Sequence, residues 1–165
     1  MTNFSTQTSR ALHDDHAVNL QLLGRAEQAF GRAAGAGAAS DAELLKLLAL
    51  LARELEHDVK RHFEFEEQEL FPRLTESGDG GMAALLMEEH VAIRAVAAEL
   101  LPLAHAAPVI GLDAAGRDAL KRTVLELAER LVSHIQKEEM ALLPLIDDLL
   151  DEETDRQLAF GYAAG

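Results

Sequence analysis

Two segments of the chain repeat one arrangement of side chains that can bind a metal ion. In the first, His62 is followed four residues later by Glu66, and in the second His134 is followed by Glu138. In both segments a second glutamate follows at once, and a proline stands ten residues after the histidine. Four residues are about one turn of an α-helix, so each histidine shares a face with its glutamate. An imidazole beside a carboxylate is a natural ligand pair for a transition metal.

Both pairs fall on a helix face that the sequence predicts to be buried. The stripe that carries the first pair contains Leu44, Leu48, Leu51 and Leu55. The stripe that carries the second contains Leu120, Val124, Leu127, Leu131, Leu142 and Leu145. A buried carboxylate is costly unless it is paired or binds a metal. A single pair of this kind is often a solvated surface pair, but two copies on apolar stripes indicate buried metal ligands.

Each pair is preceded by a separate histidine at a matching distance. His16 precedes His62 by 46 residues, and His90 precedes His134 by 44 residues. An acidic residue stands directly before each of the two separate histidines. The chain therefore divides into two halves, each an αα-hairpin. Short connections make consecutive helices antiparallel neighbours, which predicts an all-α, up-down-up-down four-helix bundle with the six groups at its centre.

The helix boundaries follow from cap, turn and proline residues. The pattern predicts helices over about 10–32, 40–75, 82–105 and 113–150, and a short fifth helix over 151–162. Ser40 with Glu43 reads as a capping box, and Asp113 can cap the fourth helix.

The whole chain is predicted to be a single domain. It would consist of a polar tail over 1–9, the bundle over 10–150, and a short helix and tail over 151–165. The runs 35–40, 78–81 and 108–112 are predicted connections. Pro72, Pro102 and Pro144 are expected to kink or end their helices.

Composition excludes several classes of function. The net charge of −14 disfavours nucleic acids and anionic membranes as partners, because both require basic patches. The chain has no Cys, so any metal must be held by His and carboxylate side chains. We see no signal peptide and no apolar run of membrane-spanning length, which predicts a cytoplasmic protein.

Six groups are the predicted metal ligands, and they comprise four imidazoles and two carboxylates: His16, His62, Glu66, His90, His134 and Glu138. If both glutamates bridge, two ions share these groups and keep positions open for a bridging oxygen, solvent or substrate. Nitrogen and oxygen donors with open positions suit iron, with manganese or zinc as substitutes. No catalytic group beyond the ligands is predicted.

Other polar residues are assigned to the surroundings of the ligands or to the surface. Those expected to touch ligating side chains from outside are Asp58, Glu67, Glu89, Arg94 and Glu139. His13 has no counterpart in the second half, and His57 and His105 are expected at the surface.

These motifs resemble those of the hemerythrin-like, or HHE cation-binding, family of non-heme di-iron proteins. The resemblance runs from Asp15-His16 through the two His-x-x-x-Glu motifs to Pro144. It implies a four-helix bundle whose two irons are bound by the six residues named above, with Glu66 and Glu138 as bridges.

The chain differs from the oxygen-carrying hemerythrins, whose third helix has a second His one turn after the first. Arg94 occupies that place here, and the fourth helix carries His134-x-x-x-Glu138. The chain therefore resembles the branch with four His and two Glu, which includes proteins for repair of iron centres under stress and iron-sensing domains. The repair proteins also carry a Cys-bearing segment, whereas this sequence has no Cys.

Three functions are compatible with the sequence. The first is a di-iron protein that binds or reduces O2, peroxide or NO in oxidative or nitrosative stress, with an electron donor or an iron-accepting protein as partner. The second is a module that stores or senses iron or oxygen without turnover. The third is a metal-free bundle, which a core of two carboxylates disfavours.

Overall fold

A computed structural model describes residues 3–32 and 37–165, and within these ranges the chain is helical without a strand. The expected all-α class is confirmed. The described residues form five helices: α1 (Gln7–Gly31), α2 (41–76), α3 (Gly80–Ile110), α4 (114–149) and α5 (Glu152–Ala164). The helices pack into a bundle in which α1 contacts α4, and α3 contacts both α2 and α4.

Helix α1 begins earlier than the predicted start at residue 10. Thr6 is its N-cap and accepts a hydrogen bond from the N–H of Ser9 at 3.1 Å. The preceding residues are not a free tail, because Phe4 is buried and the N–H of Ser5 donates to Asp147 at 2.6 Å. The sequence offered Thr6 as a possible cap, and this cap was missed. The contact that holds Thr6 in place is with Asp147, far along the chain, and could not be predicted from local spacing. Residues 1 and 2 of the predicted tail lie outside the described ranges.

The connection from α1 to α2 ends in the predicted cap. The N–H of Glu43 donates to the hydroxyl of Ser40 at 3.2 Å, and α2 begins at the next residue. The first part of the predicted Gly/Ala connection falls on residues 33–36, outside the described ranges. Asp113 likewise caps α4 by accepting from the N–H of Gly116 at 2.7 Å.

Helices α2 and α4 contain wider π-helical turns. In α2 the α-helical pieces Asp41–Arg53, Lys60–Phe65 and Phe71–Glu76 are joined by π-helical Glu54–Val59 and Glu66–Leu70. In α4 the pieces Ala114–Lys137 and Leu143–Leu149 are joined by π-helical Glu138–Leu142.

A proline follows the π-helical turn in each half. The N–H of Phe71 bonds to the carbonyl of Glu66, five residues back, immediately before Pro72. Leu143 bonds to the carbonyl of Glu138 in the same way before Pro144. Proline has no N–H and clashes with the carbonyl four residues back, and a wider turn accommodates it. The helices therefore continue past the two prolines that were expected to kink or end them.

Helix α3 is longer than predicted at both ends. It starts at Gly80 rather than at about residue 82, and it continues through Pro102 and Pro108 to Ile110. The predicted connection over 108–112 is thus mostly helical. The helix stops at Gly111, whose φ of +79° lies in the left-handed region that favours glycine.

By length and composition alone α3 would suffice to cross a membrane, a feature the sequence analysis did not find. The same property is found in core helices of globular bundles. Here Ile93, Val96 and Leu100 of α3 are buried in the core with residues of α2 and α4.

The apolar core consists of two clusters. The first contains Leu23, Leu48, Leu100 and Leu127, and the second contains Leu12, Leu70, Leu86 and Leu143. Along each of the first four helices the six predicted ligands come between residues of the two clusters. A layer of polar groups is therefore enclosed by apolar side chains.

Candidate metal centre

All six predicted ligands converge in this buried layer. Each is at most 4% exposed, and Glu66 and Glu138 have no exposed surface. Helix α1 supplies His16 and α3 supplies His90. The other four come from the ends of α-helical pieces and the first residues of π-helical turns in α2 and α4.

Four of these side chains form a first group: His16, His62, Glu66 and Glu138. Nε2 of His16 lies 2.9 Å from Oε2 of Glu138, and Nε2 of His62 lies 3.0 Å from Oε1 of Glu66. The two imidazole Nε2 atoms are 3.2 Å apart. The potential ligand atoms of this group all lie within 4.8 Å of one another.

A second group, formed by His90, His134, Glu66 and Glu138, mirrors the first. Nε2 of His134 lies 2.8 Å from Oε1 of Glu138, and Nε2 of His90 lies 3.2 Å from Oε2 of Glu66. Each glutamate therefore turns one oxygen to each group, and both glutamates belong to both groups.

The carboxylate oxygens test whether these residues fit a cation. All four oxygens of Glu66 and Glu138 are buried, and none accepts a hydrogen bond of suitable direction. Buried acceptors are normally satisfied, and a buried carboxylate without a partner is costly. Four imidazole nitrogens and four carboxylate oxygens that face a common centre have the composition of a transition-metal site. The residues fit, and the cluster is able to hold a metal ion.

The outer nitrogen of every imidazole faces a carboxylate on a neighbouring helix. Nδ1 of His16 lies 2.6 Å from Glu139, Nδ1 of His90 lies 2.7 Å from Glu67, and Nδ1 of His134 lies 2.7 Å from Glu89. The fourth contact, between Nδ1 of His62 and Oδ2 of Asp15, is longer at 3.4 Å. A carboxylate on Nδ1 fixes the ring and leaves Nε2 free to bind a metal. These contacts assign to each neutral imidazole the tautomer whose proton is on Nδ1, facing the carboxylate.

Each outer carboxylate has a further partner. Arg94 donates to Glu67 at 2.6 Å, and Lys137 donates to Glu89. Nδ1 of His13 lies 2.8 Å from Glu139, so His13 belongs to the surroundings of the centre despite its lack of a counterpart. The hydroxyl of Tyr162 donates to Asp15.

Four of the five residues predicted to surround the ligands lie next to the cluster. The structure places Glu67, Glu89 and Glu139 against imidazoles and Arg94 against Glu67. Asp58 does not have the expected position, because it faces Arg61 at 3.9 Å on its own helix.

Asp15, which sequence reasoning did not select, contacts His62 in place of Asp58. A signal was present, since Asp15 precedes His16 as Glu89 precedes His90. Tyr162 lies on α5, outside the repeated halves, where no spacing argument reaches it. His57 and His105 are exposed, and His105 pairs with Glu56 at 2.7 Å.

The charges of the site are strongly coupled. Burial disfavours the imidazolium, but the carboxylates of Glu138 and Glu66 raise the pKa of His90 to about 9. Burial lowers the pKa of His16, His62 and His134 as well, but the neighbouring carboxylates outweigh it and raise the pKa of all three. Burial works against the charge of Glu138, yet the imidazoles hold its pKa well below the usual range. Protons on the imidazoles can thus neutralise the negative charge of the buried carboxylates. A metal cation competes with these protons for the imidazole nitrogens.

Apolar and aromatic side chains enclose the centre. The ring of Phe63 stacks on His90 with centroids 3.7 Å apart, and Phe71 lies 5.3 Å from the same imidazole. A cavity of about 10 Å³ adjoins the cluster, with a lining formed by His16, Asn19, Val59, His62, Phe63, Leu131, His134, Ile135 and Glu138. This volume is about that of one water-sized probe. Asn19 is the one lining residue that is polar without being a predicted ligand.

Comparison with known proteins agrees with the site. Residues 7–146 match the family model described as the hemerythrin HHE cation binding domain. The match contains all six residues of the cluster and ends before α5. No curated protein and no solved structure gives a significant match.

Proposed function

The chain belongs to the hemerythrin HHE cation-binding family, and from this premise we propose that it is a non-heme di-iron protein that binds or reduces a small oxidant. The candidate oxidants are O2, peroxide and NO. The observation that carries the proposal is the pair of four-residue groups that share both buried glutamates. In this proposal Glu66 and Glu138 bridge the two ions, and the chain belongs to the four-His, two-Glu branch.

The proposed bundle topology is up-down-up-down. The order of the two core clusters supports it, because that order reverses from one helix to the next. In α1, Leu12 of the second cluster precedes Leu23 of the first, whereas in α2, Leu48 of the first cluster precedes Leu70 of the second. The inversion repeats between α3 and α4.

When bound, two irons would supply a redox-active Lewis acid pair with exchangeable positions for a small ligand. The four imidazoles, through Nε2, and the carboxylates of the two glutamates would hold the irons. The outer carboxylates keep Nδ1 protonated and the rings oriented. Iron suits these nitrogen and oxygen donors, and manganese or zinc are substitutes.

The enclosure of the centre restricts the ligand by size. The adjoining cavity of about 10 Å³ has room for about one water-sized molecule, and Val59, Leu131 and Ile135 form apolar parts of its lining. Asn19 also lines this cavity, and one N–H of its amide donates to the carbonyl of Asp15 at 3.0 Å, which leaves the second N–H as a possible donor to a guest. These features favour a small neutral oxidant over an organic substrate.

The decisive experiment is anaerobic reconstitution with Fe(II) followed by separate exposure to O2, peroxide and NO. We expect two irons per chain, and an optical spectrum that changes with at least one oxidant and returns on reduction. Two irons that react with none of the three would favour an iron store or sensor instead. One iron or none would contradict the paired site.

The setting of the protein is part of the same proposal. The net charge of −14 disfavours nucleic acid as a partner, and we propose a cytoplasmic protein with an electron donor or an iron-accepting protein as partner. A role in oxidative or nitrosative stress would appear as induction or protection by the protein under those conditions.

A further inference from the structure

Helix α5 reaches the metal centre through a single side chain. Tyr162 is 6% exposed, and its ring packs 4.6 Å from the ring of Phe65. The Arg61 guanidinium covers the same ring at 4.6 Å. The hydroxyl donates to Oδ2 of Asp15 and lies 3.3 Å from Nδ1 of His62. This helix lies outside the range that matches the family.

In the second half, Glu89 stands at the position equivalent to Asp15, and its contacts are arranged differently. There Glu89 uses its two oxygens separately, since Oε2 faces His134 at 2.7 Å and Oε1 receives Lys137. In the first half a single oxygen, Oδ2 of Asp15, faces both the imidazole of His62 and the hydroxyl of Tyr162.

The consequence is visible in the imidazole contacts. The His62–Asp15 distance is 3.4 Å, whereas the other three imidazole–carboxylate distances are 2.6–2.7 Å. The Tyr162 hydroxyl donates to the oxygen that faces His62 and also lies 3.3 Å from Nδ1 of His62, so it occupies part of the space in which Asp15 would approach the imidazole N–H. Arg61 is 3.7 Å from the same oxygen, farther than a hydrogen bond and held over the Tyr162 ring.

We propose that Tyr162 is a positioning residue that holds Asp15 back from His62, so that the two halves of the metal centre are chemically unequal. The contact of an outer carboxylate with a ligating imidazole sets how basic that ligand is. His62 is therefore the weakest donor of the four imidazoles, and an ion in the first group is released more readily than one in the second. The proposal rests on the assignment of the six metal ligands given above.

The test is histidine imidazole NMR of the full chain, metal-free and loaded with Zn(II), which is diamagnetic. Tyr162→Phe keeps the ring, its packing on Phe65 and the contact with Arg61, and it removes only the hydroxyl. We expect the Nδ1–H resonance of His62 to move towards that of His134, while the other three resonances stay unchanged. Release of the first-group ion to a chelator should become about tenfold slower, the lower end of effects caused by such outer contacts.

Lys137→Met is the matched control in the second half, and it should move the resonance of His134 and leave His62 unchanged. In an Asp15→Asn background the effect of Tyr162→Phe on His62 should vanish, because the hydroxyl acts through that carboxylate. An unchanged His62 resonance in Tyr162→Phe, equal shifts at all four histidines, or a persistent effect in the Asp15→Asn background would each overturn the proposal. The metal-free spectra test the positioning even if Zn(II) fails to bind, a failure that would count against the proposed function instead.

Discussion

At the scale of single residues, the centre is governed by two carboxylates without exposed surface. Glu66 and Glu138 each contribute to both groups, whereas every histidine contributes to one. In the proposed two-ion centre, removal of a glutamate would therefore affect both ions, and removal of a histidine would affect mainly one. The amount of metal bound by each variant can therefore distinguish a ligand shared by both groups from a ligand of one group.

Glu66→Ala should reduce bound metal from two ions to less than one, because neither group keeps its full set. His90→Ala should reduce it to about one, since the first group keeps its four residues. Metal per chain is measured by elemental analysis after reconstitution. Glu69→Ala and His105→Ala are the exposed controls, and both should retain full occupancy. Equal losses in all four variants would contradict the assignment.

Asn19→Leu tests the polar wall of the small cavity. The substitution keeps a similar volume and removes the one amide that can donate to a guest. With the di-iron protein loaded, we expect NO, the smallest of the candidate oxidants, to bind about tenfold more weakly, in line with the loss of roughly one hydrogen bond. Iron content should be unchanged, and a fall in iron content would show that Asn19 supports the ligands instead.

The residues of the centre differ in how well the sequence predicts them. The six inward groups could be found because helical spacing alone puts each on the buried stripe. The outer contacts cross from one helix to another and follow no helical spacing, so Asp58 was named although it faces Arg61, and Asp15, which contacts His62, was not named. Tyr162 depends on how α5 docks, which no periodicity encodes.

At the scale of helices, the N-terminal segment is anchored by one side chain of α4. Asp147 accepts hydrogen bonds from the N–H of Ser5 at 2.6 Å, the N–H of Thr6 at 3.1 Å and the hydroxyl of Thr6 at 2.6 Å. Partial burial works against the charge, but these donors lower the pKa of Asp147 below 3.8. The anchor orders Phe4 and the cap of α1, and thus the helix that carries His16.

Asp147→Asn should destabilise the chain at neutral pH by about 1 kcal/mol, because hydrogen bonds to a charged, partly solvated acceptor are lost. A lowered pKa means that the charged form stabilises the fold above the unfolded-state pKa near 3.8, and that this stability disappears as pH falls through the folded-state value. The difference between wild type and variant should therefore shrink below about pH 4. Urea unfolding at several pH values measures it, with exposed Asp148→Asn as control.

Helix boundaries show the limits of local rules. Ser40 and Asp113 were identified as caps because their side chains act on the next few residues. Pro72, Pro102 and Pro144 were expected to kink or end helices and Pro108 to begin a connection, yet all four lie within helices. Packing of Leu70, Leu143 and Ile146 in the core outweighs the local free-energy cost of proline. In both halves a wider π-helical turn before the proline avoids the clash with the carbonyl four residues back.

At the scale of the whole molecule, metal and fold are coupled. An ion that binds the folded chain and not the unfolded chain stabilises it by about 2.7 kcal/mol at a concentration one hundred times the Kd. We expect the Fe(II)-loaded protein to melt higher than the metal-free protein, and Mn(II) and Zn(II) to act in the same direction. Differential scanning calorimetry under anaerobic conditions measures the shift. The Glu66→Ala variant should lose it, and a shift that persists in this variant would mean that the ion binds elsewhere.

The general architecture could be predicted from the sequence because the chain repeats itself. Two similar halves on apolar stripes predicted an all-α protein and the convergence of six groups. The enclosure of the site could not be predicted, since the stacking of Phe63 on His90 and the small cavity depend on how four helices meet. Such packing is a property of the assembled core.

The sharing of the two glutamates has a kinetic consequence for metal exchange. The half over 7–76 supplies three residues of the first group but only Glu66 of the second, and the half over 80–149 supplies the converse with Glu138. An ion held in either group is thus tied to both halves. The ion can leave only after its bonds to one half have broken. The rate of ion exchange should therefore depend on how often the two halves separate transiently. Each half contains three of the four residues of one group, and the fourth comes from the other half.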